Sequence, residues 1–390
     1  MLSTDKPYLR LIMTSTPSSP LSLALLSPFH GGSHRYWAEH YMRHSEYDWD
    51  LYSLPDKYWK WRMYGAAIHL ARQLNTSGKT YHGIMTTDLL DVGLLKSLLD
   101  ERYRDLPILV YFHENQLTYP WSPTDADTQT GRDHHYGFVN YTSALVSERI
   151  VFNSEYHRES FTRAASDLLG KMPDYRSMAT IDEIKSKSAV VGIGVEQPED
   201  QVGRAQMPNQ TTPRILWNHR WEYDKNPTLF FDTLVSLSEQ GVQFELVILG
   251  SATSKVPDIF KSSMEKLAGR IIHSGYLDSK DDYNQMLQSC THLPVTSNQD
   301  FFGISAVEAI AQGCIPLLPK RLAFVEHLDP SLYPHYFYTS EEEYLTKLSQ
   351  QLTAPPQSLD DRLALQSEMH KYHWSEIAPR LDRELSVIVP

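Results

Sequence analysis

Residues 301–319, FFGISAVEAIAQGCIPLLP, contain a glycine loop, an apolar segment of helical length and a short apolar run closed by proline. If SAVEAIAQ is a helix starting near Ile304, CIPLLP behind it reads as a strand buried on both faces. A helix that feeds a buried strand is half of a parallel β-α-β unit, and the same order recurs along the chain. LSLALLSPF from Leu21 stops at a glycine turn, HGGS, and passes into HRYWAEHYMRH. YHGIMTT from Tyr81, PILVYFH from Pro107, ERIVFNS from Glu148 and SAVVGIGV from Ser188 follow, with helical periodicity between them, as in MYGAAIHLARQL from Met63. RILWNH from Arg214, FELVILG from Phe244, RIIHSGY from Arg270 and THLPVTS from Thr291 repeat the scheme. Strands alternating with helices predict an α/β fold with parallel, doubly wound sheets.

At 390 residues the chain has room for two such domains. Between the two runs of alternation lies EQPEDQVGRAQMPNQTTP, residues 196–213, polar and without periodicity, which reads as a linker. The expected architecture is two Rossmann-like domains facing each other across a cleft. Residues 1–20 would be a flexible tail, 21–195 the first domain, 214–373 the second, and 374–390 a last helix returning to the first domain. Hydrophobic residues make up 41% of the chain, with no apolar run near the ~20 residues that a membrane span needs. Two cysteines, Cys290 and Cys314, are too few for a disulfide framework and suit a reducing compartment. The expectation is a cytoplasmic protein without stable membrane association. A net charge of −12 argues against a general polyanion-binding surface, though not against a local basic or aromatic patch.

Ligands of such sheets bind at the carboxyl ends of strands. Asp300 stands before the quoted stretch and Glu308 inside it, and desolvating a carboxylate is costly unless something pairs with it. Acids on a loop and on the first turn of a helix can accept hydrogen bonds from two sets of sugar hydroxyls. The amides of Phe302, Gly303 and Ile304 can hold a phosphate between them. Arg220 and Lys225, five apart beyond the strand RILW, offer a guanidinium fork and a point charge for a phosphate pair. In the first half, Gly31 and Gly32 free the backbone where it turns, and Ser33 is placed to cap the helix that follows. FHENQLTYPW puts His113, Glu114, Asn115, Tyr119 and Trp121 at and beyond a strand end. GRDHHYGFVNY supplies His134, His135 and Tyr136; the paired histidines lack a third ligand at a metal-site spacing, so metal is the lesser use.

Taken together, these features resemble the retaining glycosyltransferases of the GT-B fold, family 4. GGSH, YFHENQLTYP, YGFVNYTSALVSERIVFNSEYHRESF, LWNHRWEYDKNP, GYLDSKDDY and FFGISAVEAIAQGCIPLLPK resemble, more particularly, the tRNA-queuosine alpha-mannosyltransferases. The likeness runs from about residue 23 to about residue 330. It implies that Arg220 and Lys225 bind a donor pyrophosphate, Glu308 the ribose and Asp300 the hexose. It also implies that His113 lies near the transferred sugar, that Gly31 and Gly32 make room for the diphosphate, and that Tyr276 belongs to the donor site. His34, Glu114, Asn115, Tyr119, Trp121, His134, His135 and Tyr136 are the acceptor-side candidates. The wider family usually carries glutamate where this chain has Asp300, which bears on the identity of the sugar.

The expected catalytic set is therefore His113, Arg220, Lys225 and Asp300. The expected donor is GDP-mannose, the acceptor queuosine-containing tRNA, and no metal or other cofactor is required. Two alternatives stand beside this: a hexosyltransferase of the same family acting on a lipid-linked or soluble glycan, and a non-catalytic sugar-nucleotide-binding protein.

Overall fold

Every residue of the segments ILVYF and IPLLP is buried, so both faces of these strands are covered and both read as uniformly apolar. In the computed structural model, which describes residues 21–121, 127, 133–196, 212–251, 256–355 and 357–389, they lie within two six-stranded sheets. The first sheet contains β1 (Ser22–His30), β2 (Asp48–Pro55), β3 (Ile84–Thr87), β4 (Ile108–Phe112), β5 (Arg149–Phe152) and β6 (Ser188–Val190). Its order is β2-β1-β3-β4-β5-β6, and every pairing is parallel. The second contains β7 (Arg214–Trp217), β8 (Glu245–Leu249), β9 (Ile271–Gly275), β10 (His292–Pro294), β11 (Ile315–Pro319) and β12 (Phe337–Tyr338). Its order is β12-β11-β10-β7-β8-β9, again parallel throughout. The expected tail, residues 1–20, and residues 197–211 of the expected linker lie outside the described residues.

Three details differ from the sequence expectations. The edge strands β2 and β12 were not anticipated; β2 is half-buried and mixed in character, and β12 is two residues long. Of SAVVGIGV, only Ser188–Val190 forms the strand β6, and Val191 then donates its amide to Phe152 O at 3.0 Å. The helix after β1, α1, spans Gly32–His44 with Gly31 as its cap residue, so Ser33 sits within the first turn and caps nothing.

The helices used below are α2 (Trp59–Thr76), α3 (Asp133–Val146), α4 (Glu155–Gly170), α5 (Lys280–Ser289), α6 (Ile304–Ala311) and α7 (Trp374–Leu385). Among the described residues, no helix is long and apolar enough to cross a membrane. In each sheet the chain reverses its direction of winding once. The first sheet switches between β1 and β3, the second between β7 and β10. Loops diverge at such a point and leave a crevice. The carboxyl ends of β1, β3 and β7, β10 therefore mark where a ligand is expected.

The lobes meet along a seam. Glu326 of the second lobe accepts the amides of Glu155 and Tyr156 at 2.9 and 2.8 Å and so caps α4. The Phe301 ring stacks on His157 at 4.1 Å, and Ser154 Oγ donates to Phe301 O. The last helix, α7, buries Trp374, Ile377, Ala378, Leu381 and Leu385, a stripe of helical period. It lies against the first lobe: the indole of Trp374 rests on Gly194, where a Cβ would stand 2.3 Å away. Beside it, Asp382 accepts from Tyr41 OH at 2.6 Å, Ser45 Oγ at 2.7 Å and the Glu46 amide at 2.9 Å.

Asp382→Ala leaves those three donors without an acceptor, at about 1–3 kcal/mol for each that stays buried. We expect a clear drop in the urea midpoint of unfolding, with Asp382→Asn intermediate. Equal midpoints for wild type and Asp382→Ala would remove α7 from the clamp on the first lobe.

Candidate functional site

The strand β7 delivers Asn218, His219 and Arg220 to its carboxyl end, and a tight turn over Tyr223–Lys225 follows. Lys225 is buried. Its Nζ donates to Gln299 O at 2.7 Å and Asp300 Oδ1 at 2.9 Å, and stands 3.1 Å from Asp224 Oδ2. Burial alone would push the Asp300 carboxyl up, but the Lys225 ammonium, aided by His219, holds it below the usual range. Arg220 is placed differently. Its side chain is 50% exposed, 4.0 Å from Asp224, and donates from Nη2 to Tyr119 OH of the other lobe at 2.8 Å. One cation is locked into the protein and the other lines the crevice.

The loop after β10 brings Asp300 back to β7, then turns at Gly303, whose φ of +80° favours glycine. A Cβ there would also stand 2.8 Å from the Phe324 ring. The helix α6 starts at the next residue without a side-chain cap. One turn in, Glu308 accepts from Lys280 Nζ at 2.6 Å and from Tyr283 OH at 2.9 Å. Both partners sit on α5, behind the loop bearing Tyr276, which is 67% exposed. Asn218 Nδ2 donates to Ser305 O at 2.7 Å, and His219 Nδ1 is hydrogen-bonded to Ser305 Oγ at 2.9 Å. These bonds tie the end of β7 to the start of α6.

Across the seam, the His113 amide donates to Asp88 Oδ1 at 2.9 Å. The His113 ring lies 4.4 Å from the ring of His34, edge-on to Trp37 and close to Tyr111. Burial raises Asp88 well above the usual carboxylate range, and Glu114 adds to the rise. Burial likewise raises Glu114, with Arg220 drawing it partly back. Asn115 folds the loop by accepting the amides of Leu117 and Thr118, both at 3.0 Å. Tyr119, further along that loop, meets Arg220.

Buried polar atoms on these elements that meet no partner among the described residues include six near the strand ends: His34 Nε2, Asp88 Oδ2, His113 Nε2, Asn218 Oδ1, His219 Nε2 and Asp300 Oδ2. Buried polar groups are normally hydrogen-bonded. Five of them follow the switch strands β1, β3, β7 and β10 and His113 follows the neighbouring β4, and donors and acceptors mixed there suit a polyhydroxylated ligand.

Of the residues singled out in the sequence, the structure brings His34, His113, Glu114, Tyr119, Arg220, Lys225, Asp300 and the amides before α6 around this crevice. Gly31 and Gly32 lie at the end of β1, but a Cβ at 31 would meet the Asp56 side chain at 2.0 Å, whereas 32 has open space and a φ of +50°. Crowding at 31 thus comes from Asp56. Trp121 and Tyr136 pack against each other at 5.8 Å in a small aromatic cluster, while His134 and His135 are exposed at the start of α3. Among the described residues, no group of three or more His, Cys, Asp or Glu is arranged to hold a metal ion. Asp88, Asn218, His219, Lys280 and Tyr283 are participants that the sequence reading passed over. Asp88 had a signal, an acid directly after an apolar strand. Lys280 and Tyr283 reach Glu308 only through tertiary folding.

Residues 22–195 match the family described as "tRNA-queuosine alpha-mannosyltransferase N-terminal", and residues 201–327 match "Glycosyl transferases group 1". A tRNA-queuosine alpha-mannosyltransferase of Drosophila melanogaster is 29% identical over 333 residues, 83% of this chain and 85% of that protein. Among solved structures, a trehalose-6-phosphate synthase, OtsA, superposes with a TM-score of 0.67 at 13% identity, covering 95% of this chain and 100% of that one. Sucrose-phosphate synthase from Thermosynechococcus elongatus gives 0.65 at 16%, covering 94% and 100%. HepE of Anabaena, solved with UDP and glucose, gives 0.61 at 14%, covering 94% and 99%. At these identities the likeness shows the fold, which is GT-B.

Burial holds His34 and His219 at about 4, against 6.5 for a free imidazole. A folded-state value below the unfolded one means that, between pH 6.5 and 4, the unfolded chain binds protons that the folded chain refuses. Stability is then fully present above about pH 7 and falls as pH drops through that window. His292 and His327, also held at about 4 by burial, act in the same direction. We expect Tm to be level above pH 7 and to decline steadily toward pH 4.5, with net proton uptake on unfolding at pH 5.5. A Tm unchanged across that range would contradict the buried, neutral state of these rings.

Proposed function

We propose a function from one premise: the chain belongs to the tRNA-queuosine alpha-mannosyltransferase family. It is a glycosyltransferase. The reaction we assign is transfer of mannose from GDP-mannose to a hydroxyl of the queuosine cyclopentenediol in a tRNA anticodon, with configuration retained. The observation that carries this reading is the meeting of Arg220 and Lys225 after β7 with Asp300 and the amides before α6, at the switch point of the second sheet.

In this scheme the diphosphate lies against Arg220 and the amides of Phe302, Gly303 and Ile304. Positive charge there stabilises the negative charge that develops as the sugar departs. Lys225 acts chiefly by holding Asp300, leaving Oδ2 to accept a hydroxyl of the hexose. Glu308, steadied by Lys280 and Tyr283, receives the ribose hydroxyls on its remaining lone pairs, and the exposed ring of Tyr276 is available to the guanine. His113 and His34 face the transferred sugar, and Gly31 and Gly32 lie beside the diphosphate. The acceptor oxygen bonds to the anomeric carbon as the carbon–phosphate-oxygen bond breaks, and its proton passes to the leaving phosphate. No protein nucleophile takes part. The side-chain cations and amides fill the part that a divalent metal plays elsewhere. The seam excludes water and aligns the acceptor.

The decisive experiment incubates the purified protein with queuosine-containing tRNA and a panel of GDP- and UDP-sugars, then digests the tRNA and reads the nucleosides by mass spectrometry. A hexose added to queuosine only from GDP-mannose is the expected result, and no addition from any donor would end this reading. Arg220→Ala should lower kcat by about 10²–10³-fold, the usual scale for losing one charge-stabilising group. Because Lys225 is buried between two carboxylates, Lys225→Ala also costs stability, so Arg220 is the cleaner probe. His113→Ala should lower transfer more than it lowers GDP affinity, as calorimetry would show.

A further inference from the structure

The outer face of α2 does not belong to the crevice. Tyr58, Trp61, Tyr64 and Ile68 follow one another at spacings of three, three and four, which places them on one side of the helix. Their exposures are 77%, 56%, 39% and 38%. The indole of Trp61 lies down on the helix: a Cβ at Gly65 would stand 2.6 Å from its ring. A larger residue at 65 would lift that ring, so Gly65 keeps an exposed aromatic plate flat. Lys57, His69 and Arg72 are exposed on the same helix and its cap. From Lys57 to Thr87 the sequence has no Asp or Glu, in a chain whose net charge is −12. Of the nearest acids, Asp127 pairs with Lys60 at 2.5 Å, and Asp56, exposed beside Lys57, has its side chain over Gly31.

This face joins the crevice through aromatic packing. Tyr64 lies 5.5 Å from Tyr136, which packs on Trp59 and Trp121. Phe29 packs into the same cluster and lies edge-on to His34 at 5.8 Å.

We propose that this face docks a single-stranded segment of the RNA acceptor outside the nucleoside that receives the sugar. Bases stack on Trp61 and Tyr58, and Lys57 and Arg72 neutralise phosphates. The inference rests on the tRNA reading above and names the surface that the tRNA uses. From Tyr58 to Arg72 the helix is about 21 Å long at 1.5 Å per residue, enough for several nucleotides. Ile68 is the one aliphatic residue of the stripe, which favours RNA over a lipid surface or an apolar peptide.

The test uses the full chain with four variants: Tyr58→Ala with Trp61→Ala, Lys57→Ala with Arg72→Ala, Trp61→Phe, and Gly65→Leu. Binding of tRNA, with or without queuosine, is read by fluorescence anisotropy across a salt series, and kcat and KM are read where transfer occurs. We expect the aromatic pair to weaken tRNA binding about tenfold or more, with kcat at saturating tRNA and GDP affinity unchanged. Trp61→Phe should restore most of the binding, and Gly65→Leu should weaken it. Losing the two cations should flatten the slope of log affinity against log salt by about 1.4. Wild-type tRNA affinity in the aromatic pair would overturn the proposal, as would binding to anionic vesicles that these variants abolish while tRNA binding persists. If the wild type binds tRNA through this face yet transfers no sugar, the mannosyltransferase reading fails and this one stands. If it transfers and the variants bind tRNA normally, only this one falls. A wild type that binds no tRNA sinks both.

Discussion

A single ammonium group organises the second lobe. Lys225 Nζ sits among Gln299 O, Asp300 Oδ1 and Asp224 Oδ2, all within 3.1 Å. Moving a cation and two carboxylates out of water is costly, and removing one partner of such a cluster typically costs about 3–5 kcal/mol. The cluster therefore cannot be rebuilt piecemeal. It staples the loop after β7 to the loop after β10 across the point where the sheet reverses its winding. Without it, Asp300 would be a buried acid with every reason to take up a proton. With it, Asp300 stays charged, and its second oxygen is left outside the ion pair.

The same economy governs the seam. Several of its hydrogen bonds join backbone to side chain: Glu326 to two amides of α4, Ser154 to Phe301 O, Tyr223 OH to Pro120 O at 2.6 Å. Such bonds set the relative position of the lobes without placing apolar bulk in the crevice. Arg220 and Tyr119 are the pair that spans the gap with groups able to rearrange around a ligand. A diphosphate competing for the guanidinium would release Tyr119 OH, which lies within 3.4 Å of Asp224 Oδ2. Donor binding in the second lobe would thus be felt by the loop that carries His113, Glu114 and Tyr119 in the first.

Much of this was legible in the chain because buried parallel strands have little freedom of composition. The runs ILVYF, RILW, ELVIL and IPLLP each announce a strand covered on both faces, and polar residues directly behind them announce the site. The edge strands escaped for the converse reason: DWDLYSLP is half-wet and its alternation is irregular. Two of the residues missed at the site have roles that depend on distant neighbours. Lys280 and Tyr283 are ordinary surface-helix residues until α5 is laid against α6. The roles of Trp121 and Tyr136 were not visible either, since exposure of an aromatic ring depends on what packs over it. Both pack into the cluster beneath α2, while Trp61, which looks like a core residue in the string KYWKWRMYG, is the ring left outside. Gly65 gives that ring its place, because a Cβ there would stand 2.6 Å from it.

The acid at position 300 is oriented by the Lys225 staple. Asp300 reaches the ammonium at 2.9 Å with one oxygen and leaves the other outside that pair, so its direction is set by the ion pair. His219 Nε2 and His113 Nε2 are buried without a partner among the described residues, and burial keeps both imidazoles neutral, so a hexose bound beside Asp300 would meet a carboxylate fixed by Lys225 and rigid neutral rings. Discrimination among epimers needs donors and acceptors that cannot swing to meet the wrong hydroxyl. The staple and the buried histidines are groups of that kind.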